Sequence, residues 1–367
     1  MGGEKPFITR RTALKAAIGT SSFLALGKPV SAEDPIEIPV AISGDEVIET
    51  RKVDREWWYH VEQSRGIRED FEAEVGRSPE VRTVSTTGGE ELINGHSKRK
   101  LRIKVNRNEL SDNGGEMHEQ MDVSLPDKYQ GLDVEVVPVD YSERHCYNSD
   151  TYDDVPGAVI YHPDGNESLW ATFCCSVTHS NYENPLMLAT DHAQSSDNDI
   201  YQGDNSFGSP TSERDSTLDY QLIENESSEI GVTESILDID HEVRYPINGY
   251  ATNLEALEDE ETTMRKSAVT SGFVYAEIDD INGHEVTFDG EGAQGDSGSP
   301  WYYLTGTDKG IMAVLVAMET HGPNFESYTC DGYTVYGGPE SVGTSAEAIA
   351  DHDDDISFPY QHAGPLS

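Results

Sequence analysis

The feature that most limits the fold is a series of short apolar runs between turn signals in residues 155–317. Runs of about four to eight residues that are rich in β-branched and aromatic side chains and bounded by glycine, proline or asparagine are typical of β-strands. Such runs lie at Val155–Tyr161, Trp170–Val177, Pro185–Ala189, Tyr220–Ile223, Gly272–Ile278, Trp301–Leu304 and Ile311–Ala317. Because no segment with a helical period separates them, the pattern predicts an all-β sandwich or barrel.

Residues 33–150 differ in kind from this region. Glu56–Phe71 has the apolar spacing of a helix, while Lys100–Val105 and Leu132–Val139 alternate polar and apolar residues as strands do. Ser111–Gly115 is a cluster of turn residues. The sequence therefore predicts a small α+β module. It is either a pro-segment that assists folding or covers a site, or an accessory domain, and the sequence leaves both open.

The N-terminus has the three regions of an export signal. Arg10 and Arg11 precede an apolar stretch at Ala16–Leu26, and small residues follow at Val30–Ala32. This order is typical of a twin-arginine signal, so residues 1–32 are predicted to direct secretion. The alternative is a cytosolic amphipathic helix that happens to contain two arginines. The apolar stretch is short for a membrane span, and no stable membrane insertion is expected after the signal is removed.

The composition is strongly acidic. The chain has 69 Asp and Glu against 25 Lys and Arg, a formal net charge of −44. This charge disfavours nucleic-acid and anionic-lipid partners. Because concentrated salt screens the self-repulsion of such a chain, the composition favours a folded protein adapted to very salty surroundings. The acidic run Asp351–Asp355 is predicted to be a solvated tail, and a calcium site there is the alternative.

Four cysteines, Cys146, Cys174, Cys175 and Cys330, allow three full pairings, and the sequence does not choose among them. Cys174 and Cys175 are adjacent, so on a strand they would face opposite sides. One of the two is expected to be in a disulfide and the other to be buried as a small apolar residue. Their spacing does not suggest a zinc site.

One loop has the residues of a nucleophilic serine. In Gly295–Pro300 (Gly-Asp-Ser-Gly-Ser-Pro), Ser297 lies between glycines in a tight turn before the predicted strand Trp301–Leu304. The backbone N–H groups of Gly295 and Ser297 could together hold a developing oxyanion. The alternative is a surface turn, because a serine needs a base and an orienting group to become a nucleophile.

Two other strand ends supply candidates for those groups. His192 follows the strand that ends at Ala189, and Asp219 precedes the strand Tyr220–Ile223. A histidine can take the proton of a serine, and a carboxylate can fix the tautomer of that histidine. The order His192, Asp219, Ser297, each beside a strand, predicts a catalytic triad.

At these residues the chain resembles the chymotrypsin-like (trypsin-superfamily) serine proteases of the compact bacterial type. Ala189–Ala193, Asp219–Ile223 and Gly295–Pro300 are similar to the family's segments around its histidine, aspartate and serine, and Ser267–Gly272 is similar to a strand of the bacterial members. The resemblance implies a double β-barrel in residues 151–367, with the triad in the cleft between the barrels. The chain departs from the family at Ala193, where many members have a cysteine.

Substrate preference is less determined. By analogy with trypsin-type members, Glu291 falls at the base of the primary pocket, where a carboxylate would select Lys or Arg. The alternative is one more surface acid. Glu319 aligns with a pocket position at which glutamyl endopeptidases have a histidine, and an acid there would repel a glutamate substrate.

Together these features predict a secreted, monomeric serine endopeptidase that acts on peptide or protein substrates and needs no cofactor or metal. The principal alternative is an inactive binding module on the same fold. An α/β-hydrolase esterase is disfavoured, because its serine lies in Gly-x-Ser-x-Gly before a helix and its histidine comes last. A purely structural surface protein would leave the ordered His192, Asp219 and Ser297 unexplained.

Overall fold

The computed structural model describes residues 35–43, 46–75, 81–106, 125–139, 152–163, 170–193, 199–238, 243–290, 292–305, 311–316, 326–330, 333–338 and 340–359. The predicted signal at residues 1–32, the turn at residues 111–115, Cys146, Glu291 and Glu319 lie outside these residues. Within the described part, no helix is both long and apolar enough to cross a bilayer.

The N-terminal part, residues 35–139, combines one long helix with six strands in its described segments. Its elements are β1 (Ile36–Ser43), β2 (Glu46–Val53), α1 (Arg55–Val75), β3 (Val81–Ile93), β4 (His96–Asn106), β5 (Lys128–Tyr129) and β6 (Leu132–Val139). Helix α1 begins where the Asp54 side chain accepts a hydrogen bond from the N–H of Trp57, a typical N-cap contact. The predicted α+β character of this region is confirmed.

Strands dominate the rest of the chain. The next elements are β7 (Asp154–Gly157), β8 (Ile160–Pro163), β9 (Ala171–Thr172), β10 (Cys175–His179), β11 (Leu186–Ala189), β12 (Ile200–Gln202), β13 (Asn205–Asp215), β14 (Tyr220–Asn225), β15 (Gly231–Asp238) and β16 (Val243–Ala251). They are followed by α2 (Leu254–Asp259), β17 (Met264–Ala268), β18 (Gly272–Ala276), β19 (Ile278–Asn282), β20 (Glu285–Phe288), β21 (Gly292–Ala293), β22 (Trp301–Leu304), β23 (Ile311–Val316), β24 (Glu326–Cys330), β25 (Tyr333–Gly338), β26 (Ser341–Ser345), α3 (Ala346–His352) and β27 (Ile356–Ser357). The predicted all-β character of this region is confirmed, apart from two short helices.

The strands that the structure describes form three sheets. An eight-stranded sheet has the order β27-β10-β11-β14-β13-β12-β8-β9, and a three-stranded sheet has the order β21-β25-β24. The largest sheet has 16 strands, and its main path runs β18-β17-β22-β23-β26-β20-β19-β3-β4-β6-β5. Strands β1, β2, β7, β15 and β16 join this sheet off the main path. The N-terminal strands therefore belong to the same sheet as strands from the second half of the chain.

The core follows the same arrangement. One large cluster of buried apolar side chains contains residues from β1 and α1 together with residues as distant as Phe358. A second cluster lies around Phe173 and Phe207 and contains residues from several strands of the eight-stranded sheet. A third, smaller cluster lies between α1 and the β3–β4–β6 strands, around Phe71 and Leu101.

Several predicted boundaries are wrong. Val155–Tyr161 forms two strands, because Ala158 between them has a left-handed backbone with φ of 69°. Trp170–Val177 and Gly272–Ile278 are also each divided between two strands.

Two further expectations are corrected. Asp351–Asp355 is not a tail, since the chain continues into β27, which pairs with β10, and Ile356 and Phe358 are buried. Neither Cys174 nor Cys175 is in a disulfide, and both lie fully buried in the large apolar cluster. Burial raises the pKa of the Cys174 thiol well above its usual range. The side chain of Cys330 lies outside the described part of the structure.

Candidate active site

Two paired strands bring His192 and Asp219 together. Strand β11 ends three residues before His192, and β14 begins directly after Asp219. Because β11 and β14 are antiparallel neighbours, with Ala189 opposite Gln221, the two side chains emerge at the same edge of the sheet. The backbone N–H of His192 also donates to Asp219 Oδ1 at 2.9 Å, which fixes the histidine relative to the carboxylate.

The side chain of His192 lies within hydrogen-bond distance of both other predicted triad residues, Asp219 and Ser297. His192 Nδ1 is 2.6 Å from Asp219 Oδ2, and His192 Nε2 is 2.9 Å from Ser297 Oγ. The His192 side chain is 37% exposed and that of Asp219 is 23% exposed, so the group faces solvent. A proton on Nδ1 is held by the carboxylate, which leaves the Nε2 lone pair directed at the serine hydroxyl.

The loop that carries Ser297 is shaped by its glycines. Gly295 and Gly298 have φ of 97° and 93°, in the left-handed region that favours glycine. A Cβ atom on Gly298 would lie 1.8 Å from the backbone oxygen of Thr172, so no larger residue fits there. The N–H of Thr172 donates to the Ser297 carbonyl at 2.8 Å, and this hydrogen bond holds the loop against strand β9. The two predicted oxyanion donors, Gly295 and Ser297, lie on either side of Asp296 in this turn.

Asp296 anchors the loop from inside the protein. Its carboxylate is fully buried and accepts hydrogen bonds from the backbone N–H groups of Thr270, Ser271 and Ala293. Lys266 Nζ, which is also fully buried, lies 2.9 Å from Asp296 Oδ2. A buried carboxylate is stable only when it is paired and fully hydrogen-bonded, and these four donors meet that requirement.

A cleft of about 210 Å³ opens beside His192 and Asp219. Its far wall is formed by His284 and Glu285, at the turn between β19 and β20, and by Val342–Thr344 of β26. These strands pair directly, with Thr344 opposite Glu285. The cleft therefore joins the strand ends of the eight-stranded sheet to a hairpin of the larger sheet.

Sequence reasoning missed three residues of this site. Lys266 directly precedes the segment that carries the family resemblance, but nothing in the sequence indicates that it is buried. Thr172 contacts the serine loop, and His284 lines the cleft. Neither residue belongs to a motif. The predicted pocket residues Glu291 and Glu319 lie outside the described residues, so their positions remain predictions.

A second group of titratable side chains contains His179, Glu213 and Asp353. His179 Nδ1 accepts a hydrogen bond from the N–H of Asn181 at 3.2 Å, which places the ring proton of the neutral form on Nε2. His179 Nε2 lies 3.3 Å from Asp353 Oδ2. A protonated nitrogen offers no lone pair to a metal ion, so these residues fit a contact between histidine and carboxylate better than a metal site. The calcium alternative at Asp351–Asp355 gains no support from this cluster.

Comparisons with known proteins gave similar solved structures only. No protein-family profile and no curated protein matches the sequence. The chain is similar to Nocardiopsis protease (13% identity, TM-score 0.40, covering 56% of this chain and 98% of that one). It is also similar to a chymotrypsin of Cellulomonas bogoriensis (14%, 0.41, 57% and 100%) and to a glutamic acid-specific serine protease (13%, 0.40, 56% and 100%).

Proposed function

We propose that the protein is a secreted serine endopeptidase with a chymotrypsin-like fold. The observation that carries the proposal is the hydrogen-bonded series Asp219–His192–Ser297, at 2.6 and 2.9 Å. Three side chains from distant parts of the chain meet in the order and geometry that activate a serine hydroxyl. The folded shape of the serine loop adds support, because its glycines and Asp296 leave little freedom for other conformations.

The reaction would proceed in two halves. Ser297 Oγ attacks the carbonyl carbon of the peptide bond while His192 Nε2 takes the hydroxyl proton. His192 then gives this proton to the leaving amine as the C–N bond breaks, which forms an acyl-enzyme. In the second half a water molecule attacks the ester, again through His192, and restores the serine. Asp219 orients the ring and stabilises its charged form throughout.

The N–H groups of Gly295 and Ser297 would stabilise the oxyanion in both halves. Donors of this kind typically contribute about 3–4 kcal/mol each to lowering the barrier. The buried Asp296 lies between them in sequence, so its four hydrogen-bonding partners fix the turn on which both donors depend. We assign Asp296 and Lys266 a positioning role, since neither faces the cleft.

Preference for Lys or Arg before the scissile bond is part of the proposal through Glu291, and Glu319 would disfavour glutamate. A peptide library assayed with the pure enzyme tests both residues. No preference for basic side chains would remove the trypsin-like assignment and leave the peptidase activity intact.

The decisive experiment is labelling with a small fluorescent organophosphonate in concentrated salt. Wild type is expected to bind one label at Ser297, and Ser297→Ala is expected to bind none and to lose about 10⁴- to 10⁶-fold in kcat. Ser299→Ala is the matched control, because Ser299 is a neighbouring, buried serine outside the triad, and this variant should still be labelled. Folded wild-type protein that takes no label would favour the alternative, an inactive binding module.

Export is a separate part of the proposal and rests on residues 1–32. Replacing Arg10 and Arg11 by lysine should keep the protein inside the cell, as shown by fractionation and immunoblotting. Secretion of that variant at wild-type levels would argue against the twin-arginine route.

A further inference from the structure

The N-terminal part is built into the sheet of the remaining chain. Strand β1 pairs with β16, with Ala41 opposite Ala251, and β3 pairs with β19, with Thr86 opposite Ile281. The N–H of Thr252 also donates to the Val40 carbonyl at 2.9 Å. These contacts are part of regular sheet structure, so separating the N-terminal part would expose new strand edges.

The apolar core is shared in the same way. Trp57 and Val61 of α1, and Val40 and Ile42 of β1, are 2% exposed or less. All four belong to the large cluster that also contains residues of β16, β22 and α3, and not to the small cluster under α1. Removing the N-terminal part would therefore open the main core, because its own small cluster holds only part of its buried side chains.

Ion pairs also join residues 35–139 to the rest of the chain across the boundary between these two parts. Arg99 Nη1 lies 2.6 Å from Glu258 Oε2, and Arg65 Nη2 lies 2.6 Å from Glu255 Oε2. Both carboxylates are on α2, and their side chains are 8% and 5% exposed, respectively. The N-terminal part thus supplies the cations for acids that the rest of the chain buries.

Two further arginines hold the hairpin that lines the cleft beside His192 and Asp219. Arg102 forms ion pairs with Asp279 and Asp280 of β19, and Arg68 donates to the side chain of Asn282 at the end of the same strand. Burial alone would lower the pKa of Arg102, but Asp280 and Asp279 more than offset it and the pKa is raised. The turn that follows β19 carries His284, which lines the cleft beside His192. The N-terminal part therefore fixes the strand that positions one wall of the cleft.

None of the described residues in 35–139 lines the cleft itself. A segment whose purpose was to block the triad would cover His192, and His192 instead remains 37% exposed. The described contacts of this part reach the cleft through the β19–β20 hairpin.

We propose that residues 35–139 remain in the working enzyme as a permanent part that positions the β19–β20 hairpin, whether or not the chain is cut between residues 140 and 151. The proposal rests on the endopeptidase function proposed above and deepens it. It makes Arg102 a positioning residue for substrate binding, acting through Asp279, Asp280 and the hairpin that carries His284.

Retention is tested on the secreted, active enzyme. The protein is labelled with the organophosphonate, purified through the label under native conditions, and digested for quantitative mass spectrometry. Peptides from residues 35–139 and from residues 152–359 are expected in a 1:1 ratio. Labelled enzyme that lacks the N-terminal peptides would overturn the proposal. Absence of labelling would count against the endopeptidase function instead, so the two failures are distinguishable.

The positioning role is tested with Arg102→Leu. We expect KM for peptide substrates to rise roughly tenfold, with kcat and the rate of phosphonate labelling within about twofold of wild type. Arg51→Leu is the control, because Arg51 bridges to Glu260 across the same boundary without touching the hairpin, and its KM should not change.

A second variant covers the case in which Arg102→Leu does not fold. Asp279→Asn keeps the side-chain shape and leaves Arg102 paired with Asp280 and Glu135, so a smaller rise in KM is expected. Arg102→Lys should restore part of the loss. An unchanged KM in folded Arg102→Leu, or in folded Asp279→Asn where Arg102→Leu fails to fold, would overturn the positioning role.

Discussion

At the scale of single residues, a fully buried ion pair supports the loop that carries Ser297. Lys266 and Asp296 are both 0% exposed and 2.9 Å apart. Lys266 Nζ also lies 3.3 Å from Ser341 Oγ and 5.6 Å from the ring of Trp301, so its position is defined on several sides. Removing one partner of such a pair leaves an uncompensated buried charge, which typically costs about 3–5 kcal/mol.

Lys266→Met is therefore expected to lower stability by about that amount and to lower kcat by roughly 10- to 100-fold, with a smaller change in KM. The reason is that the turn around Asp296 relaxes and misplaces the two oxyanion donors. Denaturant unfolding and steady-state kinetics measure the two effects.

Two variants provide the comparison for Lys266→Met. Lys266→Met with Asp296→Asn should recover part of the stability, because no unpaired charge remains. Lys98→Met is the matched control, since its partner Glu91 is exposed and such surface pairs contribute little. A Lys266→Met enzyme with wild-type kcat would show that the pair has no part in catalysis.

The three candidate catalytic residues could be picked out at this scale, and the residues that support their loop could not. His192, Asp219 and Ser297 each lie in a short motif beside a strand, and the structure places their side chains in contact. Lys266 carries no motif, and a buried lysine cannot be told from an exposed one in a single sequence. The expected disulfide is wrong because Cys174 and Cys175 are both buried in the large apolar cluster, and their shared burial is not evident from the sequence.

At the scale of elements, strand positions were predictable and strand ends were not. Ala158 interrupts an apolar run through its backbone conformation, which composition does not reveal. Helix α2 is six residues long, too short to produce a recognisable helical period. The pairing of β1 and β3 with strands from the second half of the chain was also invisible, because pairing partners are not encoded locally.

Helix α2 leads to a prediction about pH. Burial raises the pKa of Glu258 to about 7, against the opposing effects of Arg99 and of the Gly88 N–H. A carboxyl whose pKa is raised on folding binds its proton more tightly in the folded state than in the unfolded state. Stability therefore decreases as pH rises from about 4.5 to 7, by about 1–3 kcal/mol from this group.

Glu258→Gln should remove this contribution while keeping an acceptor for the Gly88 N–H. The unfolding free energy of wild type minus that of the variant, measured across this pH range at constant salt, should decrease as pH rises. Parallel curves for the two proteins would mean that Glu258 titrates normally.

At the scale of the whole molecule, the repulsion among acidic side chains opposes the packing that holds the two parts of the chain together. A net charge of −44 is distributed over a chain whose largest sheet joins its N-terminal strands to strands of its second half. The arginines of the N-terminal part neutralise acids at the internal boundary, so the remaining excess of acids acts mainly as self-repulsion. Salt shortens the range of this repulsion from about 10 Å at 0.1 M to about 3 Å at 1 M.

The protein is accordingly expected to unfold in dilute buffer and to regain its fold and activity in concentrated sodium or potassium chloride. Circular dichroism and peptidase activity, followed from low to high salt, measure this. Sucrose at matched osmolality is the control, because it stabilises compact states without screening charge. A melting temperature that does not depend on salt would refute the adaptation inferred from composition.

Lys266 lies within the chain and not at a chain end, and this has a consequence for activation. The counter-ion of Asp296 is carried by strand β17 and is present as soon as that strand forms. No newly generated amino group at a cut chain end is needed to complete the serine loop. Cleavage at different peptide bonds near the N-terminus would thus leave the conformation of the serine loop unchanged. Any regulation of the onset of activity has to act on another part of the molecule or through its surroundings.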